Sequence, residues 1–233
     1  MVPVLGLAFR QSFRADGYAI LDEGLDSEAL LALRQSVAAL SGQRPLRGGV
    51  RGVLEKSVTI RELANNGPPT LVAQAILGPS ARPVTATLFD KSPSANWKVP
   101  WHQDLTIAVA ERREVEGFGP WSVKDGVPHV QPPASVLEAI VAIRVHLDAT
   151  GLDNGALRVL PGSHLQGKLD EPTLNETRSR IPEVDCPVGE GGLMVMAPLL
   201  LHASSACAQP SRRRVLHLEY AATPLPGGLE WAW

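Results

Sequence analysis

The sequence predicts a β-sandwich or jelly roll with α-helices packed outside it, in one domain over 1–233. Apolar residues recur at helical spacing in the first third of the chain, 1–80. From 82 to 222 the chain consists of short apolar runs separated by Gly and Pro, which is typical of strands and turns. It lacks the regular alternation of strands and helices that would indicate a parallel α/β sheet.

Two helices are predicted in the N-terminal part. Asp26 can cap a helix whose apolar residues recur at helical spacing as far as Leu40 and which stops before Gly42. A second helix is predicted from about 69 to 77, with Gly78 ending it. Both helices precede the residues that could carry chemistry.

Five apolar runs are predicted to be strands of the β core, and the segment between the first two runs is polar. The runs are 82–89, 139–147, 156–163, 193–202 and 213–222. Segment 110–133 contains seven charged residues together with Gly, Trp and Pro. It predicts a long loop over the mouth of the barrel, and therefore a candidate lid.

Composition and charge exclude several classes of function. The formal net charge is −2 and the isoelectric point is near 6.3, so the chain has no strongly basic surface for nucleic acid or an anionic membrane. No stretch approaches the ~20 apolar residues of a membrane span. Only two cysteines occur, Cys186 and Cys207, which indicates a reducing compartment. We expect a cytoplasmic protein without nucleic-acid or membrane partners.

Two His-x-Asp pairs could each contribute to a metal site. They are His102 with Asp104 and His146 with Asp148. Residues i and i+2 of a strand project from the same face, so either pair could bind one ion. The pattern by itself leaves both pairs open, because the polar face that carries His146 could equally be a solvated or salt-bridged surface.

A facial triad needs a third ligand from a distant strand, which leaves about three coordination positions for other ligands. His202 is well placed for this role. It ends the apolar run 193–202 and precedes three small residues, 203–205, that would let a ligand approach closely.

Three segments resemble the phytanoyl-CoA dioxygenase family of Fe(II)/2-oxoglutarate oxygenases. They are FDKSPSANWKVPWHQDLTIAV at 89–109, NGALRVLPGSH at 154–164 and HASSACAQPSRRRVLHLEY at 202–220. The opening segment 13–34 is similar to the N-terminal segment of the family, so the likeness covers nearly the whole chain. The resemblance implies a double-stranded β-helix, a cupin-like jelly roll.

The resemblance also implies that His102, Asp104 and His202 bind Fe(II). The co-substrates would be 2-oxoglutarate and O₂, and oxidation of a small-molecule C–H bond would release succinate and CO₂. Related halogenases lack the carboxylate ligand, so Asp104 favours hydroxylation, desaturation or ring formation over halogenation.

The same resemblance implies a binding site for the co-substrate. In this family an arginine eleven residues after the distal histidine binds the remote carboxylate of 2-oxoglutarate, and that position here is Arg213. Ser204 and Thr87 match two further positions that contact the co-substrate. Arg144 departs from the family, because members can carry tryptophan there. We expect Arg144 to hold an anionic substrate or the oxoacid, and a structural ion pair is the alternative.

Several features leave the function less defined. His217 shares a strand face with Arg213 and could line the pocket or belong to the core. The aromatic C-terminus, 229–233, looks exposed and could shape substrate choice or an oligomer contact in a monomer or weak homodimer. A jelly-roll ligand-binding protein without turnover and a cupin-type metal enzyme without 2-oxoglutarate are the rival functions, and Arg213 with Ser204 favours the oxygenase.

Overall fold

The computed structural model describes residues 5–41, 49–92, 96–207 and 212–233. Helices and strands both contribute substantially, so the fold is mixed α/β with several antiparallel sheets rather than mainly β as predicted. The helices are Leu7–Asp16 (α1), Ser27–Ser41 (α2), Val53–Lys56 (α3), Val58–Asn66 (α4), Pro68–Leu77 (α5), Ala134–Leu137 (α6) and Glu171–Arg180 (α7), with 3-10 turns at Leu152–Asn154, Ser163–Gln166 and Pro226–Gly228.

The strands form three antiparallel sheets. They are Tyr18–Leu21 (β1), Val50–Arg51 (β2), Arg82–Lys91 (β3), Val99–His102 (β4), Ile107–Ala108 (β5), Trp121–Lys124 (β6), Val127–Val130 (β7), Ile140–His146 (β8), Leu157–Val159 (β9), Val184–Cys186 (β10), Leu193–Met196 (β11), His202–Ser204 (β12) and Arg213–Ala221 (β13). A six-stranded sheet has the order β1-β11-β8-β13-β3-β2, a four-stranded sheet β10-β9-β12-β4, and a three-stranded sheet β5-β7-β6.

The six-stranded sheet is buried on both faces at its central strand β8. Along β8 every residue is buried, and alternate side chains belong to two different cores. Val141, Ile143 and Val145 pack with the N-terminal helices, whereas Ala142 packs with residues of the four-stranded sheet. The polar side chains Arg144 and His146 share the inner face with Ala142, so they point into the molecule rather than toward solvent.

Both predicted helices are confirmed, with boundaries that follow local chemistry. The Asp26 carboxylate accepts a hydrogen bond from the backbone N–H of Ala29 at 2.8 Å, which caps α2. Gly78 ends α5 with φ +99°, a backbone angle that favours glycine. The apolar face of α2 includes Leu33 and Val37, which are almost fully buried. Burial of each such side chain contributes roughly 1.5–3 kcal/mol.

The apolar run 193–202 is not the single strand that the sequence predicts. It breaks at a turn in which the N–H of Leu200 donates to the carbonyl of Ala197. Pro198 within this turn has no N–H to donate to a sheet. The run therefore supplies β11 to the six-stranded sheet and β12 to the four-stranded sheet, and His202 begins a strand rather than ending one.

Three other predictions about local structure are wrong. The N-terminal third is not only helical, because β1 and β2 form the two edges of the six-stranded sheet. Segment 110–133 is not one long loop, since it contains the hairpin β6–β7. At the C-terminus, Trp231 is buried with 7% of its surface exposed, whereas the sequence predicts exposed aromatic residues there.

None of the described helices is long and apolar enough to cross a membrane.

Candidate metal centre and co-substrate pocket

Three potential metal ligands meet at one edge of the four-stranded sheet. His202 on β12 pairs directly with His102, the last residue of β4, and Asp104 follows two residues later. His102 therefore ends a strand. The Asp104 carboxylate lies 3.7 Å from Nε2 of His102 and 3.8 Å from Nε2 of His202. One ligand atom from each of the three residues lies within 4.8 Å of the others.

Backbone contacts prepare both imidazoles to bind a metal. Nδ1 of His102 lies 2.9 Å from the carbonyl of Pro100, and Nδ1 of His202 lies 2.9 Å from the carbonyl of Leu200. A carbonyl only accepts, so each Nδ1 carries the proton and each Nε2 keeps a lone pair directed at Asp104. Burial is the main reason that the pKa of His202 is lowered to about 4, so this imidazole is neutral at pH 7.

The loop that carries Asp104 is held on both sides. The backbone N–H of Asp104 donates to the carbonyl of Pro198 at 2.9 Å, which ties the ligand loop to the turn before β12. Between the two ligands, the Gln103 side chain donates to the carbonyls of Leu199 and Gly167 at 2.7 and 2.8 Å. The break in the run 193–202 therefore helps to position the potential metal ligands.

Asp104 is electrostatically suited to bind a cation. Burial alone would raise the pKa of its carboxyl group, but the neighbouring histidines, His202 foremost, and the guanidinium of Arg144 outweigh this effect. The pKa therefore lies below its usual value, and the carboxylate is anionic at neutral pH. One carboxylate and two neutral imidazoles form a donor set that suits a non-haem iron.

The second His-x-Asp pair is engaged elsewhere. Asp148 binds the guanidinium of Arg214 through two hydrogen bonds of 2.7 and 2.8 Å and also accepts from the Arg214 backbone N–H. His146 is directed into the interior, where its Nδ1 lies 2.8 Å from the hydroxyl of Thr150. His146 and Asp148 therefore do not converge on one ion.

A cavity of about 210 Å³ opens between the sheets beside the three ligands. Arg213 and Lys91 are cross-strand partners on β13 and β3, and both line this cavity. Nζ of Lys91 donates to the Ser204 hydroxyl at 3.0 Å. Arg213 donates to the carbonyl of Gly155 through Nη1, while its buried Nε has no partner. Thr87 lines the same cavity from β3.

Arg144 adds a third cation to the pocket. Its guanidinium lies over the ring of Phe89 at 5.5 Å, and its Nη1 lies 3.3 Å from Nδ1 of His217. Arg144 is 6% exposed and its Nε has no partner. Burial, followed by the nearby charge of Arg213, lowers the pKa of Arg144 to about 10. The alternative of a structural ion pair finds no support, since no described carboxylate lies within 4.0 Å of this guanidinium.

Three of the cations that line the cavity share this lack of an acidic partner. Among the described residues, no Asp or Glu lies within salt-bridge distance of Lys91, Arg144 or Arg213. Burial, and then repulsion from Arg213, lowers the pKa of Lys91 to about 8. The sequence analysis did not identify Lys91. It lies an even number of residues after Thr87 on β3, and this spacing could have shown that the two side chains share one face of the strand.

The mouth of the cavity is formed partly by the hairpin β6–β7. Lys124, Val127 and His129 of this hairpin line the opening, so the predicted lid segment does border the pocket. Nζ of Lys124 donates to the Thr106 hydroxyl at 2.7 Å. Glu219 of β13 also lines the cavity.

Paired antiparallel sheets that enclose a His-Asp-His cluster and a basic pocket define the class of non-haem Fe(II)/2-oxoglutarate-dependent oxygenases, and this chain is an enzyme of that class. More closely, the chain belongs to the phytanoyl-CoA dioxygenase (PhyH) family, whose sequence profile matches residues 13–215. The family resemblance seen in the sequence is thereby confirmed. No curated protein sequence gives a significant match to the chain.

Solved structures with a similar fold cover most of the chain. AviO1 from Streptomyces viridochromogenes Tue57 is 26% identical, covering 94% of this chain and 97% of its own, with a TM-score of 0.67. The non-haem α-ketoglutarate-dependent epimerase SnoN of nogalamycin biosynthesis is 20% identical over 91% and 79% of the chains, with a TM-score of 0.70. EctD from S. alaskensis with 2-oxoglutarate and 5-hydroxyectoine is 19% identical over 93% and 76%, with a TM-score of 0.71.

Proposed function

We propose that His102, Asp104 and His202 bind Fe(II), and that Arg213, Lys91 and Ser204 hold the remote carboxylate of 2-oxoglutarate. The observation that carries the proposal is the group of buried cations beside the ligand cluster, for which the described residues supply no acidic partner. Unpaired buried charge is costly, and a bound dianion would offset that cost. The iron and the oxoacid supply the oxidising chemistry when bound.

The contacts of Ser204 suit this role. Its hydroxyl oxygen accepts a hydrogen bond from Lys91 at 3.0 Å. The hydroxyl proton therefore remains available to a carboxylate. The guanidinium of Arg213 can meet the same carboxylate with two parallel, charge-assisted hydrogen bonds. Three donors from β3, β12 and β13 would thus converge on one end of the oxoacid.

Arg144 and Thr87 complete the proposed co-substrate site. The charges of Arg213, from the carboxylate anchor, and of Asp104, from the ligand cluster, both affect the pKa of Arg144. Arg144 would therefore hold the oxoacid or an anionic part of the substrate between the ligand cluster and the carboxylate anchor. Thr87 would border the oxoacid from β3.

The substrate is proposed to be a small molecule, processed by a single domain over 1–233. Two structural relatives support this reading: EctD holds 2-oxoglutarate with 5-hydroxyectoine, and SnoN holds Fe³⁺, α-ketoglutarate and nogalamycin RO. The thiols of Cys186 and Cys207 are both free. Free thiols fit a reducing, cytoplasmic location.

The test is an anaerobic titration of the apo-protein with Fe(II) and then 2-oxoglutarate, following the weak visible charge-transfer band of the chelate. We expect the band in the wild type and in His146→Ala, its loss in His102→Ala, and a weaker affinity for the oxoacid in Arg213→Ala. His146→Ala is the matched control, because it removes the histidine of the other His-x-Asp pair. Admission of O₂ should then yield succinate.

The rival functions give different results in the same experiment. A band that persists in His102→Ala would contradict the proposed ligands. Iron binding without any effect of 2-oxoglutarate would indicate a cupin-type enzyme, and no iron binding at all would indicate a ligand-binding protein.

A further inference from the structure

Glu219 is a pocket carboxylate that neither the ligand cluster nor the co-substrate anchor uses. It lies on the inner face of β13, two residues after His217 and six after Arg213, and it lines the cavity. Its side chain is 13% exposed. One of its carboxylate oxygens lies within 4.8 Å of ligand atoms of Asp104 and His217. Glu219 is therefore close to the site of oxidation.

His217 connects Glu219 to Arg144. A guanidinium only donates, so the 3.3 Å contact between Arg144 Nη1 and His217 Nδ1 requires a lone pair on Nδ1. The neutral imidazole then carries its proton on Nε2, which lies 3.5 Å from Oε1 of Glu219. Because this Nε2 has no lone pair to offer, Asp104, His217 and Glu219 do not form a second metal site. His217 instead orients the Glu219 carboxylate.

The Glu219 carboxylate keeps acceptor capacity for a ligand. His217 is the one basic side chain within 4.0 Å of it among the described residues. An ionised carboxylate offers about four lone-pair sites, and the long contact with His217 uses one of them. The remaining sites border the cavity. A donor from the ligand would therefore find a free acceptor at Glu219.

We propose that Glu219, oriented by Arg144 through His217, accepts a hydrogen bond from a substrate hydroxyl group beside the carbon that is oxidised. The inference rests on the proposed function, because it places the substrate next to the iron ligands. It assigns a substrate subsite to the inner face of β13.

The charges around Glu219 favour a neutral hydroxyl group on the part of the substrate that lies there. Lys124 and Arg51 line the mouth and Arg144 lies deeper, so an ammonium group would be repelled by three cations. A substrate carboxylate would instead be repelled by Glu219. Lys124 donates to Thr106 and has further N–H groups to offer, so the cavity presents a donor at Lys124 and an acceptor at Glu219. Neighbouring hydroxyl groups of a substrate would satisfy both.

The test uses two probes with the same ring, cis-1,2-cyclohexanediol and its dimethyl ether. The diol can donate and accept hydrogen bonds, whereas the diether can only accept them. Each is added anaerobically to the protein loaded with Fe(II) and 2-oxoglutarate. Broadening of the probe proton signals by the paramagnetic iron reports both affinity and proximity. We expect the diol to bind at least about tenfold more tightly than the diether, since a hydrogen bond to a charged group contributes about 1.5–3 kcal/mol.

The Glu219→Gln variant should lose about tenfold in affinity for the diol and leave the diether unchanged, because it removes the charge but keeps the shape. Glu138→Gln makes the same change on the surface and should leave both affinities unchanged. Equal binding of the two probes, absence of broadening by either, or an unaltered preference in Glu219→Gln would overturn the inference. An absent chelate band would instead overturn the proposed function, and this inference with it.

Discussion

Replacement of Lys91 by methionine is the most informative single change in the co-substrate pocket. Lys91 is 2% exposed, and its Nζ donates to the Ser204 hydroxyl at 3.0 Å and to the carbonyl of Ser205 at 3.5 Å. Methionine has a similar length and no branch, so Lys91→Met removes the charge and the donors while it keeps the packing. Arg213 remains on the neighbouring strand.

The expected effect follows from one charge-assisted hydrogen bond. Such a bond contributes about 1.5–3 kcal/mol, and each 1.4 kcal/mol corresponds to a factor of ten in Kd. We therefore expect 2-oxoglutarate to bind roughly 10- to 100-fold more weakly to Lys91→Met. The analogue 2-oxopentanoate has the same chain without the remote carboxylate, so its Kd should not change. Both values come from anaerobic titration of the visible chelate band.

The pH dependence provides an independent check. Burial and the charge of Arg213 lower the pKa of Lys91 to about 8, so the ammonium group is present below that pH and is lost above it. A bound dianion favours the charged form, so the loss of affinity should begin near pH 8 and continue upward. Arg144 and Cys207 also face Lys91. Arg144 has a pKa of about 10 and stays charged over most of this range.

Wild-type affinity for 2-oxoglutarate should therefore decrease above pH 8, whereas Lys91→Met should show no such decrease. Lys98→Met makes the same change at an exposed site and serves as the control. The reasoning is refuted if Lys91→Met weakens both oxoacids equally, because that result would indicate a structural defect. It is equally refuted if neither affinity changes.

Three further predictions concern the interior. Asp148→Asn should lower the free energy of unfolding by about 1–3 kcal/mol, because it breaks the bonds to Arg214, yet leave the chelate band intact. Hydrogen bonds from Arg214 hold the pKa of Asp148 below its usual value. The difference in unfolding free energy between the wild type and Asp148→Asn should therefore vanish in acid, as the pH falls through that lowered pKa. Urea unfolding at several pH values measures this difference. Arg144→Met should raise the melting temperature of the apo-protein, because it removes an unpaired buried charge, and it should weaken 2-oxoglutarate binding about tenfold. A lower melting temperature together with tighter 2-oxoglutarate binding would contradict the proposed role. Tyr220→Phe loses the hydrogen bond to the carbonyl of Ala64, and calorimetry should show a melting temperature about 2–4 °C lower, with activity unchanged.

The local elements of the fold were largely predictable because their signals are local. The cap at Asp26 and the stop at Gly78 act within a few residues, and the helices α2 and α5 form where these signals predict. The short apolar runs likewise contain strands, although in the run 156–163 only Leu157–Val159 forms one. The run 193–202 was misread because apolar residues continue across its turn, and only Pro198 marks the break. Strands at sheet edges, such as β1, depend on a distant partner and left no clear pattern.

The sequence by itself determined the class of the protein and the residues from which a site could be built. Two His-x-Asp pairs and a distant His202 were visible from residue type and spacing, and the resemblance to the family pointed to Arg213. The alternation of side chains along a strand assigns each residue to one of its two faces. This pattern does not say which face another sheet covers or which remote strands become neighbours.

Only the tertiary structure decided which candidates meet. It brings His102 beside His202 through the pairing of β4 with β12, and it turns Asp148 away from His146 to bind Arg214. It also unites Lys91, Arg144 and Arg213, which are far apart in the chain, in one cavity without an acidic partner among the described residues. The physical reason is that distances between remote strands are set by the register and packing of the sheets, and no local stretch of sequence encodes them.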